Sequence, residues 1–169
     1  MKAMTVYKLL QTLLLVVVQG LVLNHVDVMG YATPMPYIYV LLTFPQNTGR
    51  KALLLWGFLT GVMCDMFTNT PGISAAACTL MGMMQPRLLW YLSPRDSSDD
   101  FQPSLTTMGV GGFTRYLFVS TLVFQTAYYL LLVFSLSHPA DIAYNIGGGT
   151  LFTLLLMLCI ASFHKKKKV

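Results

Sequence analysis

The sequence predicts an all-α fold, a polytopic membrane helical bundle of six transmembrane spans forming a single domain over 1–169. The first reason is composition. Hydrophobic residues make up 55% of the chain and charged residues 10%, whereas a soluble domain carries about 25% charged residues, so this chain is too poor in charge to cover a water-facing surface. Second, the apolar runs are continuous and Leu-rich, not alternating. Lipid offers the backbone no hydrogen-bond partner, so only helices and closed barrels cross it, and runs of this kind select helices. Third, the basic residues segregate onto alternate connections, as cytoplasmic loops do.

The expected spans cover 6–23, 31–44, 52–67, 71–92, 113–136 and 146–163. The first follows Lys2 and ends in Asn24 and His25, with no small-residue cleavage site, so it reads as an uncleaved span and not a signal peptide. The second is short. From Tyr31 to Phe44 it holds about 14 residues, roughly 21 Å of helix, which leaves a thin span, a tilted half-helix or a re-entrant segment open. Thr33 before Pro34 and Pro36 suits a helix start, and Pro45 ends it. Thr70 before Pro71 repeats that signal for the fourth span, which is interrupted by Gln85, Pro86 and Arg87. Its full crossing is expected to end near Met84, with Trp90 and Tyr91 at headgroup level. The stretch 93–112, with Arg95, Asp96, Asp99 and Asp100, reads as a solvated loop, and 137–145 as a turn.

With the N-terminus inside, the inner segments hold Lys2, Lys8, Arg50, Lys51, Arg87, Arg95, Arg115 and Lys165, Lys166, Lys167 and Lys168, which are all 11 basic residues. The outer turns hold none. Five crossings, or a re-entrant second segment, would break that segregation, so both termini are expected in the cytoplasm. The lysine run serves as a stop signal and anchor, or attracts anionic lipid.

The net charge of +5 does not indicate nucleic acid, because the basic residues are scattered between apolar runs with no aromatic-interleaved patch. Cys64, Cys78 and Cys159 lie in apolar runs without metal-ligand spacing and read as small packing residues. His25, Asp27, His138 and Asp141 fall in outer turns with no third ligand at a fixed spacing. Neither a nucleophile elbow, a phosphate loop nor a His-Glu-x-x-His motif is present, so the expectation is no enzyme, no metal and no cofactor. Gly147 to Gly149 reads as close helix packing, and Tyr37, Tyr39, Tyr128 and Tyr129 as a belt or bundle contacts.

Asp65 is the ionisable group of most interest inside a span, where such groups are costly. It shares a helical face with Gly57 and Gly61 at spacings of four, and that small-residue pair permits close helix contact. A carboxylate near a helix C-terminus faces the unfavourable end of the helix dipole and needs a partner. The N–H groups that open the next span, at Gly72 and Ile73, are the candidates. It either ties that turn or forms a proton or ligand site.

The run Gly57-Phe58-Leu59-Thr60-Gly61-Val62-Met63-Cys64-Asp65, followed by Pro71-Gly72 and Ala75-Ala76, resembles the central motif of the rod shape-determining MreD family. The stretch from Asn24-His25-Val26 to Gly30-Tyr31-Ala32-Thr33-Pro34 resembles its Bacteroidetes branch. The resemblance implies a non-enzymatic inner-membrane scaffold or regulatory subunit of the cell-elongation machinery. It would dock an MreC-like protein, link through it to MreB, RodA and the partner transpeptidase of RodA, and help position peptidoglycan synthesis. Gly57, Phe58, Gly61, Asp65, Pro71, Gly72 and Ala75 would form its packing or partner motif, and Arg50, Lys51, Arg87, Arg115 and Lys165 to Lys168 its topology anchors. The span plan also resembles the substrate-binding components of vitamin-type transporters, which implies the rival function of a small-molecule-binding subunit. Its pocket would be lined by residues such as Asp65, Asn69 and Asn145.

Overall fold

The computed structural model describes residues 2–21, 34–70, 72–93, 101–132 and 139–166, without the side chains of 2–6, 139–143 and 164–166. Among these residues the fold is all-helical, with no strand. The α-helices are α1 (Lys2–Leu21), α2 (Tyr39–Leu42), α3 (Arg50–Thr68), α4 (Ile73–Leu92), α5 (Gly109–Leu132) and α6 (Pro139–Lys166), with a 3-10 turn, Pro36–Ile38, leading into α2.

Contacts along the helices fix the direction of each. Lys8 meets Thr43 while Gln19 meets Pro34, so the chain from Pro34 to Phe44 runs back along α1. Gly20 lies against the Phe67 ring, which sets α3 parallel to α1. Gly57 abuts Cys78, and Gly82 abuts Leu53, so α4 is antiparallel to α3. Tyr116 reaches the Leu42 carbonyl, and Tyr37 packs edge-on against Phe124, so α5 runs with α1. Thr121 meets Met157 and Gln125 meets Thr153, which returns α6. Lys8, Arg50, Lys51, Arg87 and Arg115 therefore fall at one end of the bundle, and α6 runs toward that end with Lys165 and Lys166 in its final turn.

Among the described residues, two helical stretches, Arg50–Thr68 and Tyr144–Phe163, are long and apolar enough to cross a membrane, and Tyr7–Leu21 is apolar but shorter. The other expected spans depart from such a stretch for local reasons. Helices α4 and α5 carry Gln85, Arg87, Arg115 and Gln125 within their runs. Of the segment expected over 31–44, the described residues 34–44 are helical from Pro36 to Leu42, about 10 Å at 1.5 Å per residue, and all seven of those residues are buried.

Boundaries differ from expectation in instructive ways. Helix α4 does not stop near Met84. It passes through Pro86 to Leu92, although proline lacks the N–H that would bond the Gly82 carbonyl. Its start is Ile73, with Gly72 as N-cap at φ +89°, so Thr70 is not the cap. The expected turn 137–145 is helical from Pro139 onward, because proline suits the first helical position. The chain at 109–112, assigned to the loop, is the first turn of α5.

Large apolar side chains lie both inside and outside the bundle, with Leu53, Met81, Phe113 and Phe124 in its buried core. Outward-facing residues include Leu9, Leu13, Leu59, Met66, Met83, Phe118, Leu122, Leu151 and Leu155, on every long helix. Buried ones include Thr12, Gln19, Thr60, Ser74, Gln85, Ser120, Gln125 and Thr153.

Candidate functional site: the Asp65 junction and the buried segment

The motif residues converge on the contact between α3 and α4. A Cβ on Gly57 would sit 2.6 Å from the Cys78 carbonyl oxygen, and one on Gly61 would overlap the backbone of Ala75 and Ser74. From the other side, a Cβ on Gly82 would sit 2.8 Å from the Leu53 carbonyl oxygen. Backbone thus lies on backbone along the whole contact, which only residues without a side chain permit. Gly82 had not been singled out from the sequence; its signal was a small residue seven positions after Ala75 on the facing helix.

Asp65 closes the outer end of this seam. It is 8% exposed and accepts four hydrogen bonds. Oδ1 takes the Ser74 N–H at 2.9 Å and the Thr70 hydroxyl at 3.2 Å, while Oδ2 takes the Gly72 and Ala75 N–H groups at 3.0 Å each. The first turn of a helix has N–H groups without partners inside the helix, and negative charge is stabilised there by the dipole. Helix α4 has no cap of its own, since Gly72 lacks a side chain, and Asp65 supplies one from the preceding helix. Asn69 at φ 54° turns the chain out of α3. The sequence anticipated the partner element and Gly72; Ser74 and Ala75, not Ile73, are the others. Thr70 donates to the carboxylate and shares a 2.7 Å bond with Thr68.

Two parts of the expected motif are not part of this contact. Phe58 is 51% exposed, on the side of α3 away from the seam. Pro71 lies outside the described residues. The Gly57–Gly61–Asp65 face is covered by α4 of the same chain, so it is a packing surface and not one open to a partner span. Of the topology anchors, Arg50, Lys51, Arg87 and Arg115 share one end of the bundle with the described backbone of Lys165 and Lys166. Lys167 and Lys168 lie outside the described residues.

A second constellation surrounds the segment from Pro34 to Phe44. A helix of four residues leaves its last carbonyls without helical donors, and side chains from three helices reach them. Lys8 of α1, 7% exposed, donates to the Thr43 carbonyl at 3.0 Å and to its hydroxyl at 2.6 Å. Its ammonium also sits 5.1 Å from the centre of the Phe44 ring. Tyr116 of α5 donates to the Leu42 carbonyl at 3.1 Å, and Gln85 of α4 to the Phe44 carbonyl at 3.3 Å. At the other end, Gln19 donates to the Pro34 carbonyl at 3.0 Å, and the Met35 N–H donates to Thr153 at 3.0 Å. Sequence reasoning gave Lys8 only a topological role, read Gln85 only as part of the interruption of the fourth span, and passed over Gln19 and Tyr116. Their signal was polarity within otherwise apolar runs.

Gln19 Oε1, Gln85 Oε1, Gln125 Oε1 and Ser120 Oγ are buried without a partner among the described residues. Cys64 and Cys78 are buried free thiols, and Cys159 is exposed. Among the described residues, no three His, Cys, Asp or Glu side chains group closely enough to hold a metal ion. His25, Asp27, His138 and the side chain of Asp141 lie outside what is described.

No protein-family model matches the chain, and no curated protein or solved structure does so either.

Proposed function

We propose that this chain is an integral membrane scaffold or regulatory subunit that crosses the bilayer six times, both termini in the cytoplasm, and works by docking partner proteins without catalysis. The observation that carries the membrane reading is the apolar exterior, with large apolar side chains outward on every long helix, around an interior that holds glutamine, threonine and serine beside its apolar core. Water would not tolerate that exterior over a whole surface, and lipid favours it. The gathering of Lys8, Arg50, Lys51, Arg87 and Arg115 at one end supports the orientation. The short second crossing fits a membrane because irregular backbone is tolerated there only when enclosed by protein, and here five helices enclose it. Cysteine labelling from outside the cell that reached position 50 would overturn the orientation.

Within that class, the motif from Gly57 to Asp65 with Pro71-Gly72 supports an MreD-like subunit of the cell-elongation machinery. It would dock an MreC-like protein and through it MreB, RodA and its transpeptidase. Because the motif is spent on the α3–α4 seam, its role is to fix the fold that presents the partner surface. A tagged chain, folded and abundant in detergent, is expected to co-purify an MreC-like protein; its consistent absence would remove this reading.

One observation favours the vitamin-type alternative, the orphaned Oε1 atoms of Gln85 and Gln125 in the interior. Asp65 does not serve it, since its oxygens are occupied. A water-soluble vitamin that raised the melting temperature by mass action would support this rival.

A further inference from the structure

The end of the bundle that gathers the basic residues also carries a groove of about 580 Å³ between the start of α3 and the last turns of α4. Arg50 and Arg87 line it together with Trp90, Tyr91 and the backbone turn at Thr48 and Gly49. Antiparallel packing of α3 on α4, with Gly82 against Leu53, brings the two arginines onto one groove although they are far apart in sequence. Two guanidinium forks on one groove match the geometry of a phosphate. Trp90 and Tyr91 stand exposed, their rings 5.0 Å apart, and amphipathic rings of this kind sit at headgroup level.

The neighbouring surface decides between free phosphate and lipid. Leu80, Met83, Arg87 and Trp90 recur on α4 at spacings of three and four, hence on one face, and Leu80 and Met83 are exposed. An apolar track therefore leads from the groove toward the middle of the bundle, where a free anion gains nothing and an acyl chain does. Resting on the membrane reading above, we propose that Arg50 and Arg87 seat the phosphate of an anionic phospholipid, with an acyl chain laid along Met83 and Leu80.

The test is native mass spectrometry of the full chain, purified in detergent with equal amounts of phosphatidylglycerol and phosphatidylcholine. Wild type is expected to retain the anionic lipid preferentially. Arg50→Gln and Arg87→Gln are each expected to cut that preference about fivefold, as removing one basic residue near an anionic headgroup does. Lys51→Gln, next to Arg50 but not lining the groove, is expected to keep it. Melting curves check that each variant is folded, and either arginine variant alone suffices if the other fails. Equal retention of both lipids by wild type, or an unchanged preference in the folded arginine variants, overturns the seat. Inorganic phosphate that displaced the lipid at equal concentration would replace it with a free-anion site. Failure of the membrane reading is separate: it would appear as chain recovered from cells without detergent.

Discussion

The α3–α4 seam and the segment from Pro34 to Phe44 lie side by side and solve the same problem in opposite ways. In the seam, two long helices satisfy nearly all their own backbone groups, and glycines bring them into direct contact. The uncapped first turn of α4 is then served by a single side chain, Asp65, with four bonds. The buried segment has almost no helix of its own. Its carbonyls draw on Lys8, Gln19, Gln85 and Tyr116, one bond site at a time. Concentrated dependence predicts large losses at few positions, and distributed dependence smaller losses at many.

Gly61→Leu should give the largest loss, because the contacted atoms are backbone of Ser74 and Ala75 and cannot turn aside. Overpacking costs about 1–3 kcal/mol and sometimes more, so a fall of at least about 3 kcal/mol in detergent unfolding is expected. Gly147→Ala, with open space around its Cβ, should be close to neutral; equal losses at both would show that the seam is not tight. Next comes Asp65→Ala, which leaves the buried N–H groups of Ser74 and Ala75 unpaired. At about 1–3 kcal/mol for each unsatisfied buried group, a loss of at least about 2 kcal/mol should appear in the same measurement, with Asp65→Asn recovering part of it. Tyr116→Phe removes one of the distributed bonds and should cost about 1 kcal/mol; a loss as large as that of Asp65→Ala would erase the contrast. Phe58→Ala, on an exposed face, should stay within about 0.5 kcal/mol. Loss of MreC-like protein from its pull-down at unchanged stability would mark that face as the docking surface.

How much of this was legible depends on where the information sits. The helical class, the alternating course and the one-sided basic residues follow from runs and charges local in sequence. The tie from Asp65 to the start of α4 was legible too, since a carboxylate at one helix end and free N–H groups at the next are a few residues apart. The other half of the seam was not: Gly82 matters because Leu53 faces it, and that pairing exists only after the hairpin closes. Lys8 looked like a flank charge because nothing near it shows that Thr43 returns to its level. Pro86 looked like a helix end because the rule is local, whereas the helix is held through it by packing on both sides. The start of α6 was missed for the converse reason, with polar residues read as a turn where Pro139 opens a helix.

The way Asp65 is satisfied also bears on where charge lies along the bundle. A buried carboxylate ordinarily calls for a lysine or arginine close by, and one placed at that end would weaken the electrical difference between the two faces. By taking peptide N–H groups instead, the fold keeps an acidic residue at the far end while leaving every described cation at the near one. Under the six-crossing reading proposed above, the insertion machinery would meet an unmixed charge signal, and a cap on one helix would help decide which way all of them point.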